Sequence, residues 1–250
     1  MQVTPVKTEK ITVQNRDLFA ILDKYVPSLK EKSVVAISSK IVAISEGRVV
    51  RLDEAIKADL VAREADYILP PEHSKYNYTL TIKENILIPA AGIDESNGDG
   101  YYILWPRNAQ KTANELRAYF RQRFSLHEVG IVITDSKTTP LRLGTTGVAL
   151  AHSGFRALND YRSQPDIFGR NMKVTVSNIM EALAAAAVLT MGEGSEQTPL
   201  AIIEDIPHIQ FRQADPSQDE LAEIHIEPED DLYAPLLAGV PWVRGKKTKD

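Results

Sequence analysis

The sequence predicts a mixed α/β fold of the α+β kind, on three observations. Val34-Val35-Ala36-Ile37 and Val129-Gly130-Ile131-Val132-Ile133 are short continuous apolar runs, the form of strands buried on both faces. Around them, apolar residues recur at helical spacing in several stretches. Tyr78-Thr79-Leu80-Thr81-Ile82 alternates and is followed by apolar Ile86-Leu87-Ile88, the pattern of an inserted hairpin across Lys83-Glu84-Asn85.

In chain order, Asn15 is placed as the N-cap of a helix carrying Leu18, Ile21, Leu22 and Tyr25, with Pro27 near its end. The run at 34–37 empties into Ser38-Ser39-Lys40. Residues 41–44 continue apolar up to a turn at Glu46-Gly47-Arg48. A polar amphipathic helix follows over 53–65, and Pro70-Pro71 ends it. After the hairpin, Ala113, Leu116, Phe120 and Phe124 mark a helix with Arg and Lys on its outer side. The run at 129–133 stops at Thr134-Asp135-Ser136. The Ala- and Leu-rich stretch 178–191 is a helix ending in the loop Gly192-Glu193-Gly194-Ser195. Leu200-Ala201-Ile202-Ile203 is another strand, residues 215–231 are acidic and polar, and 244–250 reads as a frayed tail. Residues 1–250 are taken as a single domain, with a division into two subdomains left open.

The chain has 250 residues, 34 acidic against 29 basic, a net charge of −5 and no cysteine. Disulfides, zinc-thiolate sites, iron–sulfur clusters and a cysteine nucleophile are thereby excluded. The acidic balance argues against nucleic acid and anionic membranes as partners. The N-terminus lacks a signal-like apolar run, and no later run approaches the roughly 20 residues of a membrane span. A cytoplasmic location is the expectation.

Three loops follow buried elements and concentrate small, polar or acidic groups: Ala91-Gly92-Ile93-Asp94-Glu95-Ser96-Asn97, residues 134–142, and Gly192-Glu193-Gly194-Ser195-Glu196-Gln197. Carboxylates at strand ends suit hard cations, and a glycine-rich loop lets backbone N–H groups approach phosphate. Each feature alone is also what an ordinary turn or helix cap contains. Walker, dinucleotide-fingerprint, nucleophile-elbow and His-Glu-x-x-His motifs are all missing. The five histidines show no ligand spacing, and a packing or hydrogen-bonding role is favoured for His152.

At these same loops the chain resembles the coenzyme F420-0:L-glutamate ligase family, the GTP-dependent γ-glutamyl ligases. The resemblance rests on Ser38-Ser39-Lys40-Ile41-Val42 with Glu46-Gly47-Arg48; Ala91 to Asn97; Ile133-Thr134-Asp135-Ser136 with Arg142 and Gly144; Gly147-Val148-Ala149 with Ser153-Gly154; Asp166-Ile167-Phe168-Gly169-Arg170; and Met191-Gly192-Glu193-Gly194, in order. Tyr101-Tyr102-Ile103-Leu104-Trp105-Pro106, residues 135–142 and residues 229–237 are most similar to a bacterial branch labelled as folate-metabolism γ-glutamate ligase.

The resemblance implies a non-P-loop γ-glutamyl ligase fold in an intertwined homodimer. It implies phosphorylation of an acceptor carboxylate by GTP, then displacement of phosphate by the amine of L-glutamate. Two divalent ions, Mg2+ or Mn2+, would assist, with K+ a further candidate. Carried over, Asp94 and Asp135 would hold the first metal, and Ser136 with the Gly194 loop the second. Ser38, Ser39, Lys40, Asn97, Gly192, Glu193, Gly194, Ser195, Glu196 and Gln197 would contact the nucleotide. Lys10-Ile11-Thr12 corresponds to a guanine-side segment. Arg142 and Arg170 would hold phosphate or substrate carboxylate, and Asp94, Asp135 and Arg142 form the expected catalytic set.

Two departures stand out. Ile44-Ser45 replaces a Ser-Lys pair, with Lys40 in line to supply the charge, and Ser136-Lys137-Thr138-Thr139-Pro140 replaces Thr-x-Gly-Arg-Pro. The second bears on the acceptor, either F420-0 (a deazaflavin) or a folate. A GTP- or GDP-binding module without ligase activity is the alternative reading.

Overall fold

The computed structural model describes residues 1–247. The first half runs β1 (Gln2–Val6), α1 (Leu18–Tyr25), β2 (Ser33–Ser38), α2 (Ser39–Ser45), β3 (Val49–Arg51), α3 (Lys57–Glu64), β4 (Tyr67–Leu69), β5 (Leu80–Lys83), β6 (Ile86–Pro89) and β7 (Tyr101–Ile103). The second half runs α4 (Ala109–Phe124), β8 (Val129–Thr139), β9 (Arg142–Ser153), β10 (Leu158–Asp160), β11 (Val176–Asn178), α5 (Ile179–Met191), β12 (Leu200–Glu204), α6 (Gln218–Ala222), α7 (Ala234–Leu237) and β13 (Val243–Arg244).

The expected mixed α/β character is present. A five-stranded sheet in the order β1-β12-β2-β8-β9 lies at the centre. Within it β2 and β8 run parallel, and the other neighbours are antiparallel. Both apolar runs are wholly buried because helices cover both faces. Val35, Ile37, Ile131 and Ile133 pack with Leu22 of α1 and with Leu116 and Phe120 of α4. Val34, Ala36 and Val132 pack on the other face with Leu183, Ala184 and Ala187 of α5. The period-two alternation is intact, but apolar contacts on each side hide it in the sequence. Fully burying a side chain such as Phe120 contributes about 2–3 kcal/mol.

The predicted hairpin forms as β5 and β6, in a four-stranded sheet of order β13-β4-β5-β6. A further cluster of Leu60, Val61, Ala91, Ile93 and Leu104 joins α3 to the segment before Asp94. No helix among the described residues is long and apolar enough to cross a membrane.

Several expectations need correction. The cap of α1 is Asp17, whose carboxylate accepts from Ala20 N at 3.1 Å. Asn15 instead closes the preceding loop, accepting from Thr12 N at 2.6 Å and donating to Lys10 O at 3.0 Å. The third helix covers residues 57–64 and not 53–65. Residues 134–142 are not a loop. The strand continues to Thr139, turns through Pro140 and a left-handed Leu141 (φ 61°), and pairs back along β9. Its outer part is polar on both faces, so no hydrophobic period announces it. Residues 244–247 are also not frayed: Val243 and Arg244 pair with β4, Gly245 N donates to Asp66 O, and Lys246 N donates to Ala62 O. The remainder of that expected tail, 248–250, lies outside the described residues.

Candidate functional site

Two junctions of the central sheet and one strained turn converge. At the end of β2, Ser38 caps α2, accepting from Lys40 N at 3.3 Å. Ser39 is buried, and Lys40 sits one residue into the helix with its side chain leaving the core. In the parallel neighbour, Ser38 pairs with Thr134, so Asp135 comes one residue beyond the same sheet level. A register shift between Ile133 and Thr134 interrupts the β8–β9 ladder at this point.

The third contribution is the turn Ala90–Gly92, in which three successive residues have left-handed φ values of 52°, 53° and 71°. Such a backbone costs about 1–2 kcal/mol per alanine and persists only where its surroundings impose it. Here Ala90 N donates to Thr79 O, and Ala91 N donates to the buried Thr81 hydroxyl, both at 2.8 Å. The turn releases the chain into Ile93 and Asp94, and Asp94 bridges Ile103 of β7.

Asp94 is held by four donors. Glu95 N and Ser96 N donate to Oδ1 at 2.7 and 2.8 Å, and Lys40 Nζ and Ser96 Oγ donate to Oδ2 at 2.7 and 2.8 Å. Burial pushes this carboxyl up. The hydrogen bond and charge of Lys40, with the Ser96 donors, outweigh burial and hold it below the usual carboxylate range. Asp135 is different. It accepts from Ser136 N at 2.8 Å and from the Trp105 indole Nε1, and no ammonium among the described residues touches it. Burial pushes it up to about 6, against the pull of those donors and of Lys40, and with a further push from the Asp94 charge. Two carboxylates thus feel each other's field in unlike surroundings.

The first and third predicted loops meet directly. Asn97 Nδ2 donates to Gly194 O at 3.0 Å, and Gly194 N donates to the Glu196 carboxylate at 2.8 Å. Gly192, the C-cap of α5, has φ 79°, and a side chain there would strike Glu196 at 2.6 Å. Gln197 O accepts from Thr8 N at 2.8 Å, which ties the stretch containing Lys10, Ile11 and Thr12 to the same loop. Ile11 packs beneath, against the α1 and α2 cores. Glu193 and Ser195 are exposed at its rim.

Arg142 and Arg170 stand apart. Arg142 pairs with Thr139 at the hairpin tip, four strand steps or roughly 13 Å from Asp135. Arg170 belongs to an exposed loop where its N–H donates to Asp166 at 2.9 Å. Neither makes an ion pair with Asp94 or Asp135 within this chain. His152 is buried against Phe155, with ring centroids 5.2 Å apart, and is not directed to the site.

The sequence reading missed Trp105 as a polar participant, along with the supporting charges around it. Arg48 Nη2 and Lys83 Nζ both donate to Glu64 Oε2, at 2.7 and 2.6 Å. Lys83 Nζ lies 5.1 Å from the Trp105 ring centroid. The alternating strand pattern gives no sign that Lys83 points inward. The one signal at hand was the position of Trp105 in residues 101–106, a segment singled out for its resemblance to the bacterial branch.

The donors at Asp94 and Asp135 are carboxylate, hydroxyl and backbone oxygens, a set that suits Mg2+ or Mn2+. No group of three or more acidic or histidine side chains is gathered for a metal among the described residues. Phosphate oxygens and water would therefore have to supply the remaining ligands, as they commonly do for Mg2+.

Comparisons with known proteins converge on one family. The family described as F420-0:Gamma-glutamyl ligase matches residues 5–205. A coenzyme F420:L-glutamate ligase of Methanopyrus kandleri is 31% identical over 221 residues, covering 81% of this chain and 86% of that protein. A Methanococcus maripaludis protein of the same name is 31% identical over 205 residues, covering 76% and 82%. One from Halorubrum lacusprofundi is 31% identical over 210 residues, covering 76% and 81%. The matched span contains β2, the strained turn, the start of β8 and the loop after α5. On the joint strength of that span and these relatives, the chain belongs to the F420-0:gamma-glutamyl ligase family.

Proposed function

We propose that the protein is a ligase joining the amine of L-glutamate to a carboxylate of an acceptor, with GTP as phosphoryl donor. The acceptor is F420-0, as the names of the relatives suggest, or a folate. The observation that carries this reading is the convergence of Asp94, Lys40 and Asp135 beside a loop tied to Asn97 through Gly194.

In the first step an acceptor carboxylate oxygen takes the γ-phosphoryl group, giving an acyl phosphate and GDP. In the second the glutamate amine attacks the acyl carbon, an amide forms, inorganic phosphate leaves, and the ammonium proton passes to solvent or phosphate. Phosphoryl transfer asks the protein mainly for alignment and charge neutralisation. Divalent cations on Asp94, Asp135, Ser136 and the Gly194 carbonyl would supply that neutralisation. Lys40, one residue into α2, adds a cation next to the backbone N–H groups of a helix start. Asn97 and residues 192–197 would hold the nucleotide, with Lys10, Ile11 and Thr12 on the base side. A K+ ion is a further candidate there.

Arg142 and Arg170 carry acceptor or phosphate contacts if a second copy brings them in. Leu141, Leu143, Ile167 and Phe168 beside them are almost wholly exposed, as expected of surfaces covered in a homodimer. A cytoplasmic setting, where GTP and glutamate are available, fits this chemistry.

The test is mass spectrometry of products after incubation with GTP, glutamate and Mn2+, with F420-0 in one arm and tetrahydrofolate in the other. A glutamyl mass gain with release of phosphate is expected. No gain on any deazaflavin or pterin acceptor refutes the ligase, and tight GDP binding without turnover would favour a nucleotide-binding module.

A further inference from the structure

Asp135 carries one oxygen toward Ser136 N and the other toward an indole, and the indole is itself held from three sides. Trp105 is 2% exposed, and its Nε1 donates to Asp135 Oδ2. Its backbone carbonyl accepts from Arg48 Nε at 3.1 Å. Lys83 lies over its ring, and both cations close on Glu64. The third side is Gly92. A Cβ at this position would lie 2.1 Å from Trp105 Nε1 and 2.4 Å from Cε2, so any side chain would displace the N–H that Asp135 uses. Gly92 also has φ 71° and stands two residues before Asp94. One glycine therefore satisfies two demands: it lets the turn aim Asp94, and it leaves the space in which the indole meets Asp135.

We infer that Trp105 is a positioning residue that fixes the Asp135 carboxylate for a divalent cation, with Glu64, Arg48 and Lys83 as its buried support. This inference rests on the metal reading of the site proposed above. The physical argument is one of orientation. A carboxylate with one oxygen anchored by a rigid, fully packed N–H donor cannot rotate freely about its terminal torsion. Its remaining lone pairs keep a fixed direction, and the Lys40 and Asp94 charges lie close enough for Asp135 to feel them. Partners that orient a ligating group typically alter metal affinity 10–100-fold. A further consequence is coupling: the segment bearing Asp94 and the strand bearing Asp135 are tied through Gly92 and Trp105, so neither carboxylate is set independently of the other.

The experiment is titration of the full chain with Mn2+ alone, following free Mn2+ by electron paramagnetic resonance, alongside thermal unfolding. Three chains are compared: wild type, Trp105→Phe, and a chain carrying benzothienylalanine at position 105. The last keeps the indole outline and the ring beneath Lys83 but replaces the N–H with sulfur. At least about a tenfold rise in the Mn2+ dissociation constant is expected for the isostere, with a thermal midpoint close to wild type. Trp105→Phe should weaken Mn2+ at least as much. An isostere that binds Mn2+ as tightly as wild type overturns the inference while leaving the metal reading intact. A wild-type chain that takes up no Mn2+ overturns both.

Discussion

Acid should destabilise this protein through one buried imidazole. His152 is 2% exposed on β9, packs against Phe155, and its Nδ1 has no hydrogen-bond partner among the described residues. Its small surrounding cavity is lined by Arg156, Ala157 and Leu158 and by Glu220 and Glu223 near α6. Burial pushes its pKa down from 6.5 to about 4, and the charge of Glu220 only partly opposes this. The folded pKa lies below the unfolded one, so the unfolded chain takes the proton first as pH falls. Stability is therefore intact above about pH 6.5, falls between pH 6.5 and 4, and levels off below. Protonation of this one group costs about 2 kcal/mol at pH 5 and about 3 kcal/mol once both states are protonated. The assay is urea denaturation of wild type and His152→Gln at pH 8, 6.5 and 5, so that losses from carboxylates cancel in the difference. The wild-type free energy should fall relative to the variant by about 2 kcal/mol from pH 8 to 5. Parallel pH profiles for the two chains would refute the reasoning.

Three further outcomes follow from single contacts. Gly147→Ala places a Cβ 2.4 Å from Ala184 O, forcing α5 off β9, and should cost about 2–3 kcal/mol in urea denaturation; an unchanged midpoint contradicts the close approach. Glu64→Gln leaves the Arg48 and Lys83 cations buried without their shared anion and should cost about 3 kcal/mol, whereas a loss under 1 kcal/mol would mean solvent already screens the pair. Asp135→Asn should abolish product formation and weaken Mn2+ uptake more than Trp105→Phe does, since it removes the proposed ligand itself; turnover near wild type would exclude Asp135 from the metal.

What the sequence disclosed follows the strength of each physical signal. The runs at 34–37 and 129–133 were legible because a strand buried on both faces must be apolar throughout, and the hairpin at 80–89 and the helix at 179–191 because their apolar residues are grouped and spaced as those elements require. The outer half of the β8–β9 hairpin was not, because Thr138, Thr139, Thr145 and Thr146 face solvent and satisfy a ladder without any apolar pattern. Caps misled for a related reason: Asn15 and Asp17 are both good capping types, and only the chain path decides between them. In the site, Asp94 and Asp135 were singled out by motif, and Lys40 as the charge in line to replace the one lost where Ile44-Ser45 departs from the family pattern; the structure puts the Lys40 ammonium against Asp94. Ile44 is buried among Ala43 and Ile103, so that position has become core while Lys40 faces Asp94. Trp105 escaped because an indole inside Tyr-Tyr-Ile-Leu-Trp-Pro looks like packing, and its N–H finds its partner 30 residues further along the chain.

The same arrangement bears on how an acidic chain would hold the polyphosphate of the proposed GTP. Unpaired carboxylates beside a triphosphate repel it by several kcal/mol at the low effective dielectric of a half-buried site. Lys40 already compensates Asp94, through a 2.7 Å contact, and its ammonium also reaches Ser96 O at 3.1 Å. Among the described residues Asp135 has only neutral donors, and it carries the burden of burial, visible in its rise to about 6. A divalent cation placed beside Asp135 would favour its carboxylate form, offset that burial and present positive charge to phosphate. Lys40 is too short of charge to do both tasks, since one ammonium cannot neutralise two carboxylates and a phosphate chain together. The uneven pairing of the two acids would therefore make binding of the proposed nucleotide conditional on a divalent cation, and on that reading the net charge of −5 is compatible with the proposed GTP-dependent ligase.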